Sequence, residues 1–165
     1  AVAFSTASSA ATLPAALRIA RADLKIAPGV ASTVLPIGAS IGKDGTAMYV
    51  GLLSIFGLQA LGIEPDVPML AIVLLTGALA AFGTAPIPSA SLFMLAAVLA
   101  SAGVSAEQTA LIVGFILPFD RLLDMTRTVA SASANLTVTT VVARWEGAID
   151  ADTVAPTQIM RQPVP

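Results

Sequence analysis

Residues 120–131 read Asp-Arg-Leu-Leu-Asp-Met-Thr-Arg-Thr-Val-Ala-Ser, a charged stretch in an otherwise apolar part of the chain. Four of its polar side chains follow one another at helical spacing: Asp120, Asp124, Arg127 and Ser131. At about 100° per residue, these positions fall within roughly 60° of one another around a helix. Charges on a helix bounded by Ala, Leu, Ile and Val are costly in lipid unless they face a polar cavity or a ligand. The stripe is therefore a candidate functional site.

The composition favours an integral membrane protein. Of the 165 residues, 56% are hydrophobic and only 11% are charged, whereas soluble domains carry about 25% charged residues. The deficit extends along the whole chain, so a signal peptide does not explain it. The alternative is an unusually apolar soluble helical domain.

Several function classes are disfavoured by the residues that are missing. The sequence contains neither Cys nor His, which removes disulfides, thiolate metal sites and the commonest general base. We therefore expect no enzyme, no cofactor and no confident metal site. Basic residues are few and form no patch, so we expect the lipid bilayer, rather than nucleic acid, as a partner.

The distribution of basic residues predicts the orientation in the membrane. Lys and Arg occur in the polar connector 18–27 and again beyond the last apolar segment at Arg144, whereas connectors 64–66 and 105–107 carry only acids. By the positive-inside rule, the connector 18–27 and the C-terminus lie in the cytoplasm. We expect a multi-pass protein of the cell (inner) membrane.

Two segments are interrupted at bilayer depth. Lys43 and Asp44 lie among glycines in the middle of the first long apolar segment, which predicts a broken helix whose unwound backbone faces a cavity. Pro86 and Pro88 separate two apolar arms that are too short to span the bilayer comfortably. This second pattern predicts a re-entrant helical hairpin. Interrupted elements that meet at mid-depth are typical of secondary transporters.

The predicted fold is an all-α membrane protein of broken transmembrane helices and re-entrant helical hairpins, in an incomplete chain. A capping box at Ser105 and Gln108 is expected to open the last helix. The predicted units are the returning arm of a first hairpin with a cytoplasmic connector (1–27), a broken transmembrane helix (28–63), a second hairpin (66–104), a last transmembrane helix (105–145) and a disordered tail (146–165).

Four motifs in this order resemble the dicarboxylate/amino acid:cation symporters, the glutamate transporter family. The stretch Leu35-Pro-Ile-Gly-Ala-Ser-Ile-Gly-Lys-Asp-Gly-Thr-Ala-Met-Tyr49 resembles the family's seventh transmembrane segment, with its signature Asn-Met-Asp-Gly-Thr. The stretch Asp124-Met-Thr-Arg-Thr128 resembles the eighth segment's Asp-Met-x-Arg-Thr, and the Ser-rich start and residues 83–91 resemble the two hairpin tips. The resemblance covers nearly all of 1–146. It implies the C-terminal part of a glutamate-transporter-like transport domain and a homotrimer when full length.

The resemblance also implies roles for individual residues. Arg127 would bind the side-chain carboxylate of an acidic amino acid, and Asp124 would bind its α-ammonium. Ser8 and Ser9, with backbone amides of the first tip, would receive the α-carboxylate. Further substrate-binding positions are Thr46, Thr84, Thr128 and Ser131.

These roles predict a secondary active symporter of acidic amino acids such as aspartate or glutamate, working by alternating access. Alternatives are a C4-dicarboxylate transporter, or an uncoupled channel or non-transporting substrate sensor on the same fold. At the level of residues, Asp124 and Arg127 could instead form an ion pair without a ligand, and Ser8 and Ser9 could be small packing residues. Asp120 could orient Arg127 or pair with Arg121.

The sequence departs from the family where sodium would bind. At the positions where the resemblance implies sodium ligands, this sequence has Gly42, Ser131 and Asn135. At the position of the Met in the family's signature, it has Lys43. We hypothesise that the ammonium of Lys43, a few ångströms from Asp44, acts as a tethered cation. Either Na+ or H+ remains possible as the coupling cation. The candidate cation-coupling residues are Gly38, Ser40, Lys43, Asp44 and Asn135.

Overall fold

The computed structural model describes residues 1–149, and in that range the fold is all-α apart from one isolated bridge between Ile26 and Ile149. The all-α prediction is therefore confirmed. The helices are α1 (Val2–Thr6), α2 (Ser9–Ala22), α3 (Pro28–Ile41), α4 (Asp44–Ala60), α5 (Val67–Gly83), α6 (Ala90–Ser101) and α7 (Ala106–Trp145).

The long helix α7 is the axis of the fold. Its start is fixed by the predicted capping box, in which the Ser105 hydroxyl accepts from the Gln108 N–H and the Gln108 side chain accepts from the Ser105 N–H. The helix packs against α1, α2, α3, α4 and α6. Side chains that project inward from α7 can therefore reach most of the other elements.

Two apolar cores lie along α7. One contains residues of α4, α5, α6 and α7, around Val50, Leu95 and Ile112. The other packs α2 and α3 against the C-terminal part of α7, around Leu35 and Ala143. The polar stripe lies between these cores.

The predicted helix break is present. The first half, α3, ends at Ile41, and the second half, α4, begins at Asp44. Gly42 and Lys43 form the connection, where the N–H of Gly42 still donates to the carbonyl of Gly38 at 2.7 Å. The break leaves backbone groups that α7 then contacts.

The second predicted interruption, at the two prolines, is also present. The prolines at 86 and 88 lie in the connection 84–89 between α5 and α6, which pack against each other. Re-entry of this pair into the membrane stays a prediction, as do the boundaries of the five predicted units. Of the helices within residues 1–149, none combines the length and apolar character of a candidate membrane span.

The basic connector and the end of α7 lie together. The N–H of Ala27 donates to the carbonyl of Ala148 at 2.9 Å. The two predicted cytoplasmic segments are therefore neighbours, while the side of the membrane that they face stays a prediction. Of the tail that was predicted to be disordered, residues 150–165 lie outside the described residues.

Candidate functional site

All four residues of the polar stripe face inward. Asp120, Asp124, Arg127 and Ser131 are buried, and Asp124 has no exposed surface at all. Arg121, one position along the helix, is exposed. The helical spacing thus correctly predicts a single buried polar face on α7.

Arg127 joins α7 to α4. Its guanidinium forms an ion pair with Asp124 one turn earlier, and Nη1 donates to the hydroxyl of Thr46 at 2.5 Å. The guanidinium carbon lies 5.6 Å from the centre of the Tyr49 ring, within the range of a cation–π interaction. Its Nε is buried and has no hydrogen-bond partner among residues 1–149.

Asp124 joins the same site to the connection between α5 and α6. One carboxylate oxygen pairs with Arg127, and the other accepts a hydrogen bond from the backbone N–H of Ser89 at 2.9 Å. Thr128 is buried beside it and donates to the Asp124 carbonyl at 2.8 Å. Thr84 is also buried, but its hydroxyl donates to Ala80 in the last turn of α5.

The two tips touch each other. The hydroxyl of Ser8 donates to the carbonyl of Pro86 at 2.7 Å and also caps α2 by accepting from the N–H of Ala11. Ser9 is the first residue of α2 and is half-buried. The structure therefore shows Ser8 in contact with the connection between α5 and α6, and its role in binding a carboxylate stays a prediction.

The sequence did not identify Tyr49 as a site residue. Its hydroxyl donates to a carboxylate oxygen of Asp120 at 2.5 Å, and the other Asp120 oxygen is buried without a partner among residues 1–149. Within residues 1–149, Asp120 forms no ion pair with Arg121 or Arg127. It contacts Tyr49, whose ring lies against Arg127. The sequence feature that could have identified Tyr49 is its position at the end of the motif 35–49.

Two side chains of α7 contact the helix break. The hydroxyl of Ser131 accepts from the N–H of Gly45 at 3.1 Å, and Nδ2 of Asn135 donates to the carbonyl of Gly42 at 3.3 Å. A Cβ at Gly45 would overlap the backbone carbonyl of Arg127, so this close approach of α4 to α7 requires glycine.

The remaining candidate cation-coupling residues do not form one cluster. Lys43 is buried and Asp44 is exposed, and the two form no ion pair, since Asp124–Arg127 is the single ion pair within residues 1–149. The structure therefore shows no ion pair between the Lys43 ammonium and the Asp44 carboxylate, and the role of Lys43 as a tethered cation stays a prediction. Ser40 is exposed and donates to the Pro36 carbonyl of its own helix.

A family model described as the sodium:dicarboxylate symporter family matches residues 1–145. The chain belongs to the sodium:dicarboxylate symporter family. It is 41% identical over 126 residues to excitatory amino acid transporter 2 of Homo sapiens, a match that covers 76% of this chain and 21% of the relative.

Two bacterial relatives give longer matches. The chain is 35% identical over 148 residues to the proton/sodium-glutamate symport protein of Bacillus subtilis, covering 88% of this chain and 33% of the relative. It is 35% identical over 150 residues to the proton/glutamate-aspartate symporter of Escherichia coli, covering 90% of this chain and 33% of the relative. The chain thus spans a fifth to a third of the relatives that it matches.

Membership of the sodium:dicarboxylate symporter family confirms several predictions. The family and its relatives are membrane transporters and not enzymes. The resemblance to glutamate transporters inferred from the four motifs is therefore correct.

The family description names sodium, and the residues at the break do not fit a sodium ion. The carbonyl of Gly38 accepts from Gly42, and the carbonyl of Gly42 accepts from Asn135. Among residues 1–149 there is no group of three or more acids that could hold a metal ion, and the adjacent buried side chain is the cationic Lys43. A cation here would compete with the N–H donors already bonded to these carbonyls and would meet a positive charge nearby.

Proposed function

We propose that the full-length protein is a secondary active symporter of acidic amino acids such as aspartate and glutamate, working by alternating access. The observation that carries this proposal is the buried pair of Asp124 and Arg127, with one side chain of each charge at the meeting point of α4, α7 and the tip at Ser89. The printed names of the relatives from Bacillus subtilis and Escherichia coli, which are glutamate and glutamate-aspartate symporters, support the same substrate class.

The charges of the pair match those of the substrate. A guanidinium binds a carboxylate with two parallel hydrogen bonds, and an aspartate side chain attracts an ammonium. The two protein charges are paired with each other in this structure. An acidic amino acid entering the site would separate them and replace one ion pair by two.

Arg127 has donors left for a ligand. A guanidinium carries several N–H groups in a fixed fork, and the buried Nε has no partner within residues 1–149. An unpartnered buried donor costs about 1–3 kcal/mol. A substrate carboxylate would remove this cost, and this favours binding over a purely structural pair.

The α-carboxylate would bind at the start of α2. Ser8 and Ser9 lie at this N-terminus, where backbone N–H groups and the helix dipole favour an anion. Thr46, Thr128 and Ser131 would complete the wall of the pocket, with Thr84 at its edge.

A C4-dicarboxylate is the main alternative substrate. Such a molecule would satisfy Arg127, but it has no ammonium for Asp124. An acidic amino acid also has two carboxylates, but its ammonium would pair with Asp124. A dicarboxylate would leave the negative charge of this buried acid without a positive group from the ligand, so Asp124 favours the amino acid.

Uncoupled transport or substrate sensing is a second candidate, because the helix break does not fit sodium. In the symporter, Lys43 would act as a tethered cation, and transport would use H+ coupling or exchange. The alternative is that a sodium site elsewhere in the full-length protein persists and that Lys43 has no such role. The homotrimer and the cytoplasmic C-terminus belong to this proposal as predictions.

Uptake by the full-length protein in liposomes tests this proposal. We expect uptake of labelled aspartate that unlabelled glutamate inhibits more strongly than succinate. Substrate binding without any uptake or exchange would support the sensor instead. Uptake that succinate inhibits as strongly as aspartate would support the dicarboxylate transporter.

Replacing sodium by choline in the outer buffer then separates the coupling modes. Unchanged initial uptake would support H+ coupling or exchange, whereas complete loss of uptake would contradict the role of Lys43 as a tethered cation.

A further inference from the structure

Two side chains of α7 hold the break between α3 and α4, one on each side of it. Asn135 donates to the Gly42 carbonyl at 3.3 Å just beyond the end of α3, and Ser131 accepts from the Gly45 N–H at 3.1 Å at the start of α4. The two residues are one helical turn apart and share a face of α7. Both contacts are hydrogen bonds of neutral groups.

The amide of Asn135 fits into a space that glycines leave open. A Cβ at Gly38 would lie 2.7 Å from Oδ1 of Asn135, and a Cβ at Gly42 would overlap the same atom. Side chains at either position would therefore displace the amide. The pair of glycines and the amide form one packed unit.

The orientation of this amide follows from its neighbour. A carbonyl oxygen only accepts hydrogen bonds, so the group that faces the Gly42 carbonyl is the N–H side of Asn135. The amide donor therefore already uses one lone pair of the carbonyl oxygen that a cation would need. Lys43, the next residue, is buried and adds a positive charge to the same connection.

We propose that Asn135 replaces a bound metal cation at the break, so that the geometry of the break is independent of sodium. The Asn135 N–H supplies the positive end of a dipole where a metal ion would otherwise hold the Gly42 carbonyl. This proposal deepens the proposed function, on which it rests, because it assigns a coupling property to the same site. It predicts that a carboxylate at position 135, with Lys43 neutralised, creates a sodium site.

The test is the melting temperature of the full-length protein without substrate, in sodium chloride and in choline chloride at equal ionic strength. The variant K43M/N135D should gain a sodium-dependent increase of about 3 °C or more beyond any response of the wild type. The matched control K43M/S133D, with its new carboxylate at an exposed position of α7, should gain none. A folded K43M/N135D protein without this gain would overturn the proposal.

A second variant, Asn135→Leu, needs no new charge. It should lower the melting temperature equally in both salts, because it removes a hydrogen bond and not an ion ligand. If the wild type is stabilised by sodium and N135L abolishes that response, Asn135 is itself an ion ligand and the proposal is wrong. This second comparison decides the matter even if K43M/N135D fails to fold. Since no substrate is present, the result is separate from success or failure of the uptake experiment.

Discussion

The hydroxyl of Tyr49 donates a 2.5 Å hydrogen bond to Asp120, and the ring of the same tyrosine lies against the guanidinium of Arg127. Asp120 therefore reaches Arg127 through an aromatic side chain instead of forming an ion pair with it. The guanidinium of Arg127 forms its ion pair with Asp124 and donates a hydrogen bond to Thr46.

Removing the Tyr49 hydroxyl should destabilise the site. In Tyr49→Phe the ring remains, but Asp120 loses its only hydrogen bond to a side chain within residues 1–149. A hydrogen bond to a charged group contributes about 1.5–3 kcal/mol, so we expect a lower melting temperature and weaker aspartate binding.

The control for Y49F is Ser133→Ala, which removes an exposed hydroxyl that bonds only to its own helix. This variant should stay within about 0.5 kcal/mol of the wild type. Equal melting temperatures for Y49F and the wild type would show that the Tyr49–Asp120 contact contributes nothing.

Neutralising Asp124 should change the selectivity of the full-length protein. Asp124→Asn removes the charge that we assign to the substrate ammonium, while Arg127 still binds a carboxylate. We expect aspartate affinity to fall by about tenfold or more, since a charged hydrogen bond is lost, and succinate affinity to fall much less. Thermal-shift titrations with both ligands measure the ratio, and an equal loss for both would argue against this role of Asp124.

Removing the Ser8 hydroxyl should loosen the contact between the tips. Ser8→Ala loses the hydrogen bond to the Pro86 carbonyl and the cap of α2, a loss of about 1 kcal/mol or more. We expect the tips to separate more often.

The buried position of Thr84 allows this opening to be measured. A single cysteine introduced as Thr84→Cys reacts with a thiol reagent only when the tip opens, and its labelling should be about fivefold faster with S8A. Ser9→Ala is the control, because Ser9 makes no described side-chain hydrogen bond. Equal labelling rates with and without S8A would show that the hydrogen bond between Ser8 and Pro86 does not hold the tips together.

Much of α7 and of the helix break could be predicted because their signals are local. Ser105 and Gln108 show a capping box within one turn, and the stripe from Asp120 to Ser131 shows its face through spacing alone. Glycines and adjacent charges likewise indicated the break at Gly42 and Lys43.

The contacts that build the site were harder to predict because they join distant parts of the chain. Tyr49 and Asp120 are 71 residues apart, and the Ser89 N–H that reaches Asp124 is a backbone group 35 residues away. A backbone N–H donor cannot be recognised from residue types in the sequence, because every residue except proline has one. Which side chain it contacts is decided by tertiary packing.

Lys43 and Asp44 are adjacent in the sequence, but they do not form an ion pair. Lys43 is the non-helical residue before α4 and Asp44 is the first residue of that helix. The Lys43 side chain is buried and the Asp44 side chain is exposed. Adjacency in sequence therefore did not mean contact.

Isothermal titration calorimetry of the full-length protein with L-aspartate tests the central claim most directly. We expect saturable binding by the wild type and a loss of affinity of at least about tenfold in Arg127→Lys, because an ammonium cannot form the paired hydrogen bonds of a guanidinium. Arg121→Lys, at an exposed position of the same helix, should bind like the wild type. Equal affinities for aspartate in R127K and the wild type, or no binding by a folded wild-type protein, would contradict the account.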